Sequence, residues 1–99
     1  MYLVMNVITT TPERASHLEQ AFAPSPERMK AIPGFIRFEL LRERGEEGAP
    51  PRYSAATWWE DEAAFKAWTE SEAFRAAHAR AGSSGAGAQA QMKQYDVVV

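Results

Sequence analysis

Tyr2-Leu3-Val4-Met5-Asn6-Val7-Ile8-Thr9 is the stretch on which the architecture turns. It is rich in β-branched and apolar residues and contains neither glycine nor proline. Successive side chains of a strand point to opposite faces, so Val4, Asn6 and Ile8 share one face and Leu3, Met5 and Val7 the other. Both faces are apolar, which is the pattern of a central strand covered on both sides. Helices of the same chain can cover one face, and the second face needs another layer.

Outward from this strand, Thr11 precedes Pro12 and Glu13, a helix start with proline in the first turn. Leu18, Phe22 and Met29, with Ala15 and Ala21, form a loose helical stripe. Pro24 and Pro26 interrupt it, and Ser25 is placed to cap a second short helix running to about Ile32. Pro33-Gly34 reads as a turn. Strands are expected at 35–42 (FIRFELLR) and 52–59 (RYSAATWW), joined by the charged Gly/Pro-rich loop 43–51. Asp61 caps a helix over 62–70, and Ser71 caps another over 72–81 that ends at Gly82. Residues 82–91 are low in complexity and read as a mobile loop, and 92–99 (MKQYDVVV) as the last strand. The order β-α-β-β-α-β is the ferredoxin-like α+β arrangement, in one domain over 1–99. A second copy of the chain, packed sheet to sheet into a dimeric α+β barrel, would cover the face of Leu3, Met5 and Val7.

The composition narrows the classes of function. With 99 residues, a core is only marginally stable alone, and a partner chain would bury more surface. The net charge is -2, and no basic stripe supports nucleic-acid binding. The chain has no cysteine, which excludes a disulfide framework, a thiolate metal site and a thiol nucleophile. No basic n-region with a cleavage site opens the sequence, and no apolar run approaches the roughly 20 residues that cross a bilayer. The expectation is a soluble, cytoplasmic protein with no membrane partner.

Asn6, His78 and Trp68 are the candidates for chemistry. Asn6 interrupts an apolar face: its amide is either satisfied by nearby backbone or aimed as a donor into a pocket between sheet and helices. His78 lies at helical spacing with Phe74, Ala77 and Ala81. It is either a histidine of the core edge or, as a neutral imidazole among small alanines, an axial ligand for haem iron. Trp68 follows Phe65 by three residues on one helix face, as core packing or as a wall against a planar ligand. Trp58 and Trp59 must point to opposite faces, one toward the core and one toward a dimer interface. His17 reads as a surface residue. No Ser-His-Asp arrangement, phosphate loop or metal-spaced carboxylate cluster is present.

Asn6-Val7-Ile8, the run Ile32-Pro33-Gly34-Phe35-Ile36-Arg37-Phe38-Glu39-Leu40-Leu41, and Trp59-Glu60-Asp61-Glu62-Ala63-Ala64-Phe65-Lys66-Ala67-Trp68 resemble the antibiotic-biosynthesis-monooxygenase superfamily. The continuation Ser71-Glu72-Ala73-Phe74-Arg75-Ala76-Ala77-His78 is similar to the IsdG-like haem-degrading members. The resemblance covers nearly the whole chain. It implies that His78 ligates the iron, that Asn6 donates from its amide to the ligand on the opposite side, and that Trp68 presses on the porphyrin and buckles it. Phe22 falls where relatives place an aromatic near the haem. Haem would be both substrate and cofactor, with dioxygen and an external electron donor. The broken first helix and the Gly-rich 82–91 stretch depart from the usual pattern. Two other functions remain open: cofactor-independent oxidation of an aromatic polyketide or quinol, and haem or flat-hydrophobe binding without turnover.

Overall fold

The computed structural model describes residues 1–72, 74–75 and 89–99. His78 and the glycine-rich stretch 82–88 lie outside the described residues, as does most of the helix expected over 72–81. Of that helix, Ser71 accepts a hydrogen bond from the Phe74 N–H at 3.2 Å, as a cap should. Glu72, Phe74 and Arg75 are helical.

Four strands, β1 (Tyr2–Thr9), β2 (Phe35–Arg42), β3 (Arg52–Trp59) and β4 (Gln89–Asp96), form one antiparallel sheet in the order β2-β3-β1-β4. β1 is central, as its two apolar faces require. The helices α1 (Pro12–Phe22), α2 (Ser25–Met29) and α3 (Glu62–Thr69) complete the described elements. Tyr2, Val4 and Ile8 are buried toward them, while Leu3, Met5 and Val7 lie on the opposite, open face.

Two apolar clusters form on the helix-facing side. The larger joins Tyr2, Val4, Met29, Trp59 and Phe65, with Trp68 and Phe38 packed against it. The smaller joins Ile8, Leu18 and Tyr53, with Phe22 and Leu40 alongside. Trp59 is fully buried and its indole N–H donates to Thr57 Oγ1 at 2.8 Å, so burial leaves no polar group unpaired. Trp58 points to the open face, where the Arg37 guanidinium sits 4.1 Å from its ring centroid.

Two expectations are corrected. The last strand is Gln89–Asp96, three residues earlier than the sequence suggests. β1 offers eight pairing positions, and β4 fills them from Thr9↔Gln89 to Tyr2↔Asp96. Val97 adds one bond, to the Met1 carbonyl at 2.9 Å, and the rest of the valine run passes beyond any partner. Partner availability outweighs the valines' β-propensity. Ser25 is not a cap: Pro24 stands at that position, its carbonyl accepting from Arg28 N–H at 3.1 Å, and Ser25 opens the helix with no side-chain bond. α1 stops at Phe22 because Pro24 has no N–H to continue its ladder. A register shift between Phe35 and Arg37 adds a residue to β2 and lets Phe35 and Phe38, three apart, both face the core.

Asp61 Oδ1 accepts from the Ala64 N–H at 2.9 Å and starts α3 where the sequence places it. The helix is then held close to the turn before β2. Gly34 has φ +78°, and a Cβ there would stand 2.4 Å from Ala64 Cβ. Gly34→Ala therefore combines backbone strain with an overlap the helix cannot absorb, at a cost of about 2–4 kcal/mol. Urea unfolding checks this, and adding Ala64→Gly should recover the steric part but not the strain.

Candidate functional site

Asn6 occupies the interval between the two clusters. Val4 before it belongs to the larger and Ile8 after it to the smaller. It pairs with Ala55 on β3 and Met92 on β4. Cross-strand partners share a face, so this row presents a methyl group, an amide and a thioether to the helix side. Asn6 is half-buried, and among the described residues no hydrogen bond reaches its side chain. Ala55 on one side of it is buried and Met92 on the other is 56% exposed, so the described helices leave the Asn6–Met92 end of this row uncovered.

Trp68 reaches the same side from α3. Its ring lies 5.3 Å from Trp59, 6.2 Å from Phe65 and, edge to face, 4.8 Å from Phe74. It is half-buried, so part of the indole is available to a ligand. Phe22, at the end of α1, stacks on Phe38 at 5.9 Å with 18° between the ring planes. That stack bridges the two clusters. Asn6, Phe22 and Trp68 thus belong to one sheet face: Trp68 packs against the larger cluster, Phe22 against the smaller, and Asn6 lies on the strand between Val4 and Ile8. His17 is exposed, as expected.

Two features escaped the sequence reading. Tyr53, 2% exposed, donates from its phenol to Glu19 Oε2 at 2.5 Å, and Arg42 Nη1 stands 3.8 Å from the same oxygen. This ties α1 to the sheet beneath Phe22. Burial first, and then the adjoining Glu19 carboxylate, raise the Tyr53 phenol above its ordinary value of 10.0. The second feature is a groove of about 500 Å³ between α2 and α3, with Trp68 on one wall and Arg28 at its rim. Neither carries a periodic signal, since each exists only once distant elements meet.

A four-stranded antiparallel sheet in this order, with its helices on one face, is the ferredoxin-like α+β class. Within it, the model of the antibiotic biosynthesis monooxygenase family matches residues 1–80, and the chain belongs to that family. A heme oxygenase (mycobilin-producing) of Mycobacterium tuberculosis is 34% identical over 96 residues, covering 96% of this chain and 87% of that one. A heme oxygenase (staphylobilin-producing) of Staphylococcus haemolyticus is 33% identical over 78 residues, covering 79% and 73%. Among solved structures, the heme degrader MhuD of Mycobacterium tuberculosis, with two hemes bound in its active site, superposes with a TM-score of 0.74 at 29% identity, covering 100% of this chain and 97% of that one. SnoaB, a cofactor-independent oxygenase from Streptomyces nogalater, has a TM-score of 0.76 at 24% identity, covering 99% and 93%, and shares the fold. No described helix is long and apolar enough to cross a membrane.

Tyr53→Phe should cost about 1–2 kcal/mol near pH 8, the range for one buried hydrogen bond. The raised phenol pKa stabilises the fold fully below pH 10.0 and less as the pH climbs from there through the folded value. The gap between wild type and Tyr53→Phe should therefore narrow above that pH. Equal gaps in urea midpoint at pH 8 and at the alkaline end would contradict the assignment.

Proposed function

We propose that this protein degrades haem in an oxygen-dependent reaction, with haem as substrate and its own cofactor. The observation that carries the reading is the amide of Asn6, held on the helix-facing side of the central strand with no protein partner among the described residues. No buried side-chain polar atom among the described residues lacks a partner, so this half-buried amide is open to solvent and free to donate to a ligand that displaces that solvent. A flat macrocycle lying over the uncovered Asn6–Met92 row would bring an acceptor to that amide. It would also find apolar contacts on Phe22 and Trp68. The residues present therefore fit haem.

When bound, haem supplies the iron at which dioxygen and electrons from an external donor meet. The chain's own residues bind and shape. His78, a neutral imidazole, would hold the iron from one side. Asn6 would donate its N–H on the other, where negative charge develops as oxygen is reduced, so its effect is larger on turnover than on binding. Trp68 would act by volume, pressing on the ring and bringing a bridging carbon toward the reacting oxygen. The 33–34% identity to two haem oxygenases over most of the chain supports the haem reading.

Hemin titration of the purified protein should give a Soret band, and ascorbate with dioxygen, in the presence of catalase, should bleach it. His78→Ala should lose the band while circular dichroism is unchanged. Asn6→Ala and Trp68→Phe should still bind, with affinity altered by about 1–2 kcal/mol, and should slow bleaching far more. A protein that never develops the band points to cofactor-independent oxidation, and one that binds but never bleaches points to a carrier.

The open face supports a second proposal, that the working form is a homodimer joined sheet to sheet. Leu3, Met5, Val7 and Trp58 form its middle, and Leu41 and Tyr95 are 40% and 42% exposed on the same side. An apolar patch of this kind is rarely left to water. Sedimentation should give twice the monomer mass at micromolar concentration, and Met5→Lys, which places a charge at the centre of the face, should give monomers.

A further inference from the structure

The groove between α2 and α3 is not needed by the roles assigned above. Ala31 and Ile32 form one wall, and Ala64, Ala67 and Trp68 the other. Pro33 and Ser71 also line it. Beside it, α3 stands close to the turn before β2, where a Cβ on Gly34 would lie 2.4 Å from Ala64 Cβ. The groove's volume of about 500 Å³ suits one compact organic molecule.

Its polar groups specify a charge sign. The Ser71 hydroxyl already donates to the Trp68 carbonyl at 2.6 Å and accepts from the Phe74 N–H at 3.2 Å. Among the described residues that line the groove, none is acidic. Arg28, at the rim, is exposed and forms no ion pair among the described residues, whereas Lys30 two positions on is paired with Glu27 at 3.1 Å. A guanidinium offers only donors, in a planar fork that matches a carboxylate. Arg28 is the single cation among the described lining residues, so a monoanion matches it, whereas a dianion such as a phosphate monoester would leave one charge unmatched.

We infer that the α2–α3 groove binds a flat, apolar monocarboxylate, with the Arg28 guanidinium on its charged end and the Trp68 indole against its body. The groove shares Trp68 with the haem reading, but the inference does not require haem to be the substrate. Because Trp68 forms a wall of the groove and also packs on Trp59, Phe65 and Phe74, an occupant changes the surroundings of that indole directly.

The test uses 1-pyrenebutyrate and its methyl ester, titrated into the whole protein and followed by tryptophan quenching. The acid should bind about tenfold more tightly than the ester, the order of one charge-assisted hydrogen-bonded pair. Arg28→Gln should bring the acid down to the ester's affinity and leave the ester unchanged. Ala67→Phe, which fills the groove, should weaken both ligands, with circular dichroism verifying the fold. The inference is overturned if the acid does not bind, if acid and ester bind alike, or if Arg28→Gln leaves the acid's affinity intact. It is equally overturned if a folded Ala67→Phe binds both as wild type does. Should Ala67→Phe not fold, the Arg28→Gln comparison decides alone.

Discussion

The indole of Trp59 is the contact on which the rest of the helix-facing side depends. It has no exposed surface, and its ring meets Phe35 edge-on at 5.5 Å, Phe65 at 5.8 Å and Trp68 at 5.3 Å. One side chain thus joins β2, β3 and α3. A ring this large is buried stably only when its N–H is paired, and Thr57, two residues earlier on the same strand, provides the acceptor. Thr57 in turn donates to the Val4 carbonyl at 3.4 Å, which links the arrangement to the central strand. The position of Trp68, and so any pressure it can exert on a ligand, is inherited from this arrangement.

The two clusters differ in how they resist change. Around Trp59 the contacts are aromatic and tilted or edge-to-face, a geometry rings favour over face-to-face sandwiching. Around Tyr53 the cluster is smaller and relies on one hydrogen bond and a distant guanidinium to hold α1. Asn6 lies between them. A continuous apolar core would have placed a valine or isoleucine there, as at Val4 and Ile8. The amide divides the core in two, a loss of packing that makes sense when something else occupies the interval.

Much of the fold was legible because its signals are local. The two apolar faces of β1 required a central position, Asp61 announced α3, and the Pro24–Pro26 pair broke the first helical stretch. The candidate site residues Asn6, Phe22 and Trp68 were legible as misfits or aromatics on known faces, and the family resemblance implied their roles. The misreadings came from rules that compete. Val97–Val99 look like a strand by propensity, yet pairing ends with β1 and one further bond. Arg28 could not be singled out from sequence, since one arginine in a short polar helix resembles any solvated cation until α3 is brought alongside. The Tyr53–Glu19 bond spans 34 residues and has no motif.

The extra residue in β2 bears on how this segment tolerates change over time. On a strand without a bulge, Phe35 and Phe38 would face opposite ways, and the chain could not serve the core from both. Ile36, at the irregularity, is 42% exposed and touches neither cluster. Its identity is therefore nearly free to drift, whereas its presence is not. Losing that one position would turn one of the two phenylalanines out of the core. Substitutions and deletions at the same site thus belong to different selective regimes, and related chains should vary in the letter at this position far more readily than in the count of residues between the two rings.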